Sequence, residues 1–256
     1  MSHENKRVGL IACEIFFREI AYYLARSPRV FDVVFLPKGL HDLGGEKMRG
    51  IIQAEIDKMQ DKDYSHIVLA YALCNNGLVD VCARHVPLVI PRAHDCITLF
   101  LGSRQRYHEY FHANPGTYFH TTGWLERGAG DDQHFDSELG PAQTLEDLIE
   151  KYGEDNARYL KETLDPLKNY HKIAYIQLPI DALPDLRVVS KQAADDTQWE
   201  WEEIEGDPGL LERLLNGPHG QEEFLVLRPG EKVAASVDEA VIAATPSDDG
   251  DGPALD

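Results

Sequence analysis

Three apolar runs in this chain each stop at a cysteine. Residues 8–12 end in Cys13-Glu14, and residues 66–73 end in Cys74-Asn75-Asn76-Gly77. Residues 86–91 lead through Arg92-Ala93 into His94-Asp95-Cys96. Thiolate and imidazole are donors that zinc and iron accept, and a His-x-Cys pair lets one turn supply two of them. Cys13, Cys74, His94 and Cys96 are therefore the candidate metal ligands. Donors so far apart in sequence suit a catalytic or substrate-binding site better than a small structural knuckle. Zinc is the ion best matched to the set, and the same donors also suit iron or an iron–sulfur cluster. A zinc-bound thiolate is ionised at neutral pH and stays nucleophilic, which suits alkyl transfer. The plainer reading, cysteines packed under loops, has to account for three strand ends separately.

Other polar groups lie close to these in sequence. Glu14 and Asp95 are the candidate proton-handling groups. Asp95 could instead orient a ligating histidine or simply close a turn, and Glu14 could complement a helix dipole. Asn75, Asn76 and Gly77 offer a turn whose backbone N–H groups could face an anionic ligand. Ser103 and Arg104 sit at an expected helix start and could hold a carboxylate or phosphate, the alternative being a solvated helix face. His41, His120 and Trp124 are open between cleft and core or surface. Cys82, inside residues 78–84, reads as the interior of a short helix and as plain core.

The elements expected to position these groups alternate. Strands are expected at residues 8–12, 31–36, 67–73 and 86–90, with helices at 14–26, 46–60 and 78–84 between them. That alternation implies a parallel sheet covered on both faces, with ligands bound beyond the carboxyl ends of the strands. The fold alone would then bring Cys13, His41, Cys74, His94 and Cys96 to one edge. A helix is expected at residues 103–112 and a strand from 117, ending in a Gly123-Trp124 turn. A loop is expected at 128–134, with helices at 144–152 and 154–164. A second α/β portion follows: strands at 172–178, 199–206 and 224–230, and helices at 183–194 and 207–217, the last opened by Asp207-Pro208 and stopped by Gly217. The whole reads as an α/β protein of two Rossmann-like lobes with parallel sheets, helices on both faces and the site at the strand C-terminal ends. Its expected parts are an N-terminal lobe at 1–125, a helical connector at 126–170, a smaller α/β portion at 171–235 and an acidic, disordered tail at 236–256.

Composition narrows the partners. The chain has 256 residues, 43% of them hydrophobic, enough for a packed core in one large or two smaller domains. A formal net charge of −19 argues against nucleic acid and anionic membrane, both of which need a basic face. There is no apolar stretch of membrane-spanning length, and the N-terminus has no signal-peptide pattern, so a cytoplasmic protein is expected. In a reducing compartment, the four cysteines are better read as ligands or catalytic groups than as disulfides. The phosphate-binding glycine loops and the G-x-S-x-G elbow are absent from the sequence.

These residues resemble a family known as domain of unknown function 1638. The resemblance rests on Ala12-Cys13-Glu14, Leu40-His41, Cys74-Asn75-Asn76-Gly77, Pro91-Arg92-Ala93-His94-Asp95-Cys96, Gly102-Ser103, Gly116-Thr117-Tyr118 with Gly123-Trp124, and Glu205-Gly206-Asp207 with Leu210-Leu211. It covers residues 7–230. No activity comes with it. The resemblance does imply the company of corrinoid-dependent methyltransferases and one-carbon enzymes. A corrinoid is then a further expected cofactor, and a corrinoid protein or methyltransferase an expected partner beside a small-molecule substrate. Zinc enzymes that methylate thiols also pair His-x-Cys with a distant cysteine, but there the distant cysteine follows the pair, whereas Cys13 and Cys74 precede it. The expected function is a zinc-type metal-binding protein, an enzyme of one-carbon or methyl-transfer metabolism such as a metal-dependent methyl or alkyl transferase. The alternatives are a non-catalytic corrinoid or metal carrier serving a methyltransferase, and an iron–sulfur protein.

Overall fold

The computed structural model describes residues 7–74, 76–127, 153–154 and 168–247, without the side chains of His41 and Asp42. The chain is a mixed α/β protein with parallel sheets flanked by helices. β1 (Arg7–Cys13), β2 (Phe31–Leu36), β3 (Tyr64–Ala70) and β4 (Leu88–Pro91) run parallel in the order β2-β1-β3-β4. β4 is buried at every position and β1 at all but the first, as expected of interior strands covered on both faces. From β1 the chain moves to β2 on one side and then returns past β1 to β3 on the other. The order therefore reverses between β1 and β3, and a crevice opens beyond their carboxyl ends.

Helix α1 (Phe17–Leu24) follows a short 3-10 turn, Glu14–Phe16, directly after β1. Helix α2 (Gly45–Gln60) packs Met48, Ile52, Ile56 and Met59 inward at helical spacing. Gly9 in β1 permits this approach, since a Cβ there would lie 3.2 Å from the Met59 sulfur. α3 (Ile97–Leu101) and α4 (Arg104–Ala113) follow β4.

A second sheet, again parallel, holds β5 (Thr117–His120), β6 (Lys172–Gln177) and β7 (Glu200–Glu205) in the order β5-β6-β7. Helix α5 (Thr122–Glu126) follows β5, and α6 (Arg187–Thr197) packs on β6 and β7. Residues 199–206 were expected as an edge strand, and β7 takes that place. The two sheets meet at tight points. A Cβ on Gly123 would fall on the carbonyl oxygen of Ile15, so α5 can dock against the turn after β1 only through a glycine. Past the end of β7, the Asp207 amide donates to the Phe100 carbonyl at 2.9 Å.

Several expectations change. The portion expected at 171–235 divides: β6, α6 and β7 form the second sheet, but α7 (Gly209–Asn216) and β8 (Phe224–Leu227) return to the first. β8 pairs antiparallel with β4, and α7 packs on β3, β4 and α1. Four buried leucines make α7 a partner for the larger core. Residues 78–84 form turns and a bridge instead of a helix. Cys82 sits opposite Lys232, and the Asp80 and Ala83 amides donate to the carbonyls of Val233 and Glu231. Backbone partners from the far end of the chain thus outcompete a short apolar segment's local preference. Those partners belong to β9 (Glu231–Ala235), which pairs with β10 (Ile242–Pro246). Structure therefore extends through Ser247, well into the tail expected to be disordered. The loop expected at 128–134 and the helices expected at 144–152 and 154–164 lie outside the described residues, apart from Glu154.

Candidate functional site

Parallel pairing carries Cys13, at the last residue of β1, to the same edge as the segments that follow β3 and β4. The β3–β4 ladder then continues past both strands: the Leu73 amide donates to the Ala93 carbonyl at 2.9 Å, and the Cys74 amide to the His94 carbonyl at 3.0 Å. This extension sets Cys74 beside Cys96, with sulfurs 3.8 Å apart. Cys74 and Asn76 both adopt left-handed backbone conformations, with φ of 42° and 62°, uncommon for residues other than glycine and a form of strain that clusters at functional sites. A Cβ on Gly77 would collide with the Met48 side chain, so glycine lets this turn lie against α2.

Cys13, Cys74 and Cys96 line one cavity of about 600 Å³, within the size range of small-molecule sites. Its far wall belongs to the second sheet: Tyr118 and Phe119 on β5, Trp124 on α5, and Tyr170 just before β6. Tyr118 meets Tyr170 and Trp124 edge-on, with centroids 5.3 and 6.3 Å away. Lys38 also lines the cavity, its ammonium nitrogen 4.5 Å from the Trp124 ring centroid.

The thiols lie in a low-polarity setting. Burial pushes the Cys13 thiol up to about 12, with a smaller push from Cys74 and Glu14. Cys96 is held well above the ordinary thiol range, first by its hydrogen bond with Cys74 and then by burial. Both thiols therefore keep their protons at neutral pH unless a cation sits beside them. Tyr71, 2% exposed, also lines the cavity, and its hydroxyl is raised by burial and by the neighbouring sulfurs. That hydroxyl lies within reach of the Cys13 thiol but makes no hydrogen bond of good geometry among the described residues.

The remaining candidates divide between cavity and framework. His94 lines the cavity from an exposed position at its rim. Asp95 lines it too, but both carboxylate oxygens are engaged: Oδ1 accepts from the Ile97 amide at 2.9 Å, and Oδ2 from the Tyr107 hydroxyl. Asp95 thus fixes the start of α3, and burial raises its pKa. Glu14 is not among the residues lining the cavity. Its Oε1 accepts from the Lys38 amide at 2.9 Å, and its Oε2 lies 3.5 Å from Arg127, so it ties the end of β1 to the end of β2. Of the expected anion turn, Asn76 lines the cavity and Asn75 is outside the described residues. Ser103 caps α4 by accepting from the Arg106 amide, and Arg104 donates to the Glu222 carbonyl at 2.8 Å. Neither lines the cavity: α4 uses them to begin and to hold the segment before β8. His120 is core, 6% exposed, bonded to Ser190 and lowered by burial to about 4. Cys82 is buried apart from the three thiols.

Tyr71, Lys38, Tyr118 and Tyr170 are cavity residues that spacing did not single out. Tyr71 hides within an apolar run, and the others gather only when the second sheet docks. Among the described residues, no group of three or more His, Cys, Asp or Glu side chains is already arranged to hold a metal ion, and no helix is long and apolar enough to cross a membrane. No curated protein and no solved structure matches this chain. The family model described as protein of unknown function (DUF1638) matches residues 35–215, a span that includes Cys74, His94 and Cys96 but not Cys13. With more than half of its length matched, the chain belongs to the DUF1638 family.

Proposed function

We propose that this chain is a cytoplasmic, metal-dependent protein of one-carbon or methyl-transfer metabolism, acting on a small molecule in the cavity beneath the second sheet. The observation that carries this reading is the meeting of three cysteines from the ends of three adjacent strands, with Cys74 and Cys96 sulfurs 3.8 Å apart. Two sulfurs bound tetrahedrally to one zinc at about 2.3 Å lie about 3.8 Å from each other, so this pair already has the spacing of two zinc ligands. Cys13 would supply a third thiolate after a side-chain rotation, and His94 at the rim would close the shell or leave a position for substrate. A zinc ion there would supply Lewis acidity and hold thiolates in ionised form.

The chain's own residues have separate roles in this reading. The thiols lose protons on binding a cation, so uptake should be pH-dependent and release protons. Among the described residues Asp95 is the one acidic side chain lining the cavity, and it keeps Cys96 in place through the start of α3. The aromatic wall excludes water and offers flat surfaces to an apolar substrate body, with Lys38 providing the positive charge near an anionic end. The methyl-transfer direction draws on the nucleophilicity of bound thiolate and on what the family resemblance implies.

The test is elemental analysis of untagged protein, with Cys74→Ser and Cys82→Ser beside the wild type. About one zinc per chain, lost in the first variant and kept in the second, is expected. No tightly bound metal, or equal loss in both variants, would refute the reading.

A further inference from the structure

Cys74 and Cys96 are free thiols whose sulfurs touch at 3.8 Å, and both line the open cavity. Each is partly accessible, whereas Cys13 and Cys82 are buried at 6% and 9% exposure. A disulfide requires its sulfurs at about 2.05 Å, so the pair must close by about 1.8 Å. Neither residue lies inside a long regular element: Cys74 occupies the turn after β3, and Cys96 precedes the first turn of α3. Closure therefore needs side-chain rotation and a small turn adjustment, with the strands left in place.

We propose that Cys74 and Cys96 form an oxidisable dithiol, a site of thiol–disulfide exchange with low-molecular-weight disulfides that enter the cavity. In the first step Cys74 gives up its proton and its thiolate attacks a sulfur of the incoming disulfide. A mixed disulfide forms, and one small thiolate leaves and takes up a proton. The second cysteine then gives up its proton and attacks the protein sulfur of the mixed disulfide. The Cys74–Cys96 bond forms, and the second small thiol departs. The protein pair is oxidised by two electrons, and the small disulfide is reduced to two thiols. The inference rests on contact and access and does not require a metal; a bound zinc would shield the same sulfurs.

The experiment treats chelator-stripped full-length protein with glutathione disulfide, alkylates the remaining thiols after denaturation, and maps the peptides. The expected result is loss of two of the four thiols, with Cys74 and Cys96 in one linked peptide and Cys13 and Cys82 alkylated. In Cys96→Ser, a persistent glutathione adduct on Cys74 is expected. Four retained thiols in the wild type, a disulfide that includes Cys13, or a glutathione adduct that persists in the wild type would each overturn the proposal. A parallel arm preloads zinc, which should slow oxidation at least tenfold. Failure of zinc to protect would count against the metal reading alone, because the linked peptide is scored without metal.

Discussion

Glu19 in α1 gives the most quantitative test of the fold. It is 1% exposed, and neither carboxylate oxygen has a hydrogen-bond partner among the described residues. Burial raises its pKa from 4.5 to about 7. In the unfolded chain the group ionises near its ordinary value, so between these two pH values the unfolded state gives up a proton that the folded state retains. Stability therefore falls as pH rises through this window and levels off above the folded pKa. The full effect is about 3 kcal/mol, from about 2.5 pH units at 1.36 kcal/mol each. Glu19→Gln keeps the shape and removes the titration. It should stabilise the protein by about 1 kcal/mol at pH 5.5 and about 3 kcal/mol at pH 8.5. Urea denaturation of both proteins at the two pH values measures this, and thermal melting should show a gain of roughly 2–4 °C per kcal/mol. A variant that is less stable than wild type at pH 8.5, or a difference that does not change with pH, would refute the reasoning.

The other predictions concern the site. Tyr71→Phe removes a buried hydroxyl that has no well-formed hydrogen bond among the described residues, so the metal-free protein should gain roughly 1 kcal/mol in denaturant unfolding; a loss of that size would mean that Tyr71 and Cys13 are properly bonded. Gly123→Ala places a methyl group on the Ile15 carbonyl and should destabilise the protein by 3 kcal/mol or more, roughly at or above the upper end for overpacking. Unchanged thermal stability would show that α5 does not dock there. Stripping a catalytic ion should leave a folded apoprotein, since a chain of this length buries a core without metal, whereas a structural ion's removal should lower the melting temperature sharply. In cobalt-substituted protein, small thiols should change the visible spectrum if a coordination position is exchangeable; no response, together with collapse on chelation, would indicate a closed structural site.

Much of the first sheet was legible because its signals are local. Residues 31–36, apolar apart from Asp32 and rich in strand-favouring Phe and Val, form β2 over that very span. Met48, Ile52, Ile56 and Met59 repeat at helical spacing and form the inner face of α2. The gathering of Cys13, Cys74 and Cys96 at one edge follows from parallel pairing alone, since a parallel ladder sends every carboxyl end the same way. What the linear chain does not contain is the choice of distant partners. β8 joins β4 although their sequences lie over a hundred residues apart, and residues 78–84 give up a helix to pair with β9. Glu14, Ser103 and Arg104 carry charge or polarity beside the cysteines in sequence, yet the fold spends them on the Lys38 amide, the start of α4 and the Glu222 carbonyl. Tyr71 looks like one more apolar strand residue, and only docking of the second sheet encloses the space its hydroxyl faces. Local periodicity thus determined the strands and the edge where the thiols meet. Tertiary packing alone decided which polar groups reach the cavity, because hydrogen-bond partners and burial are properties of neighbours in space.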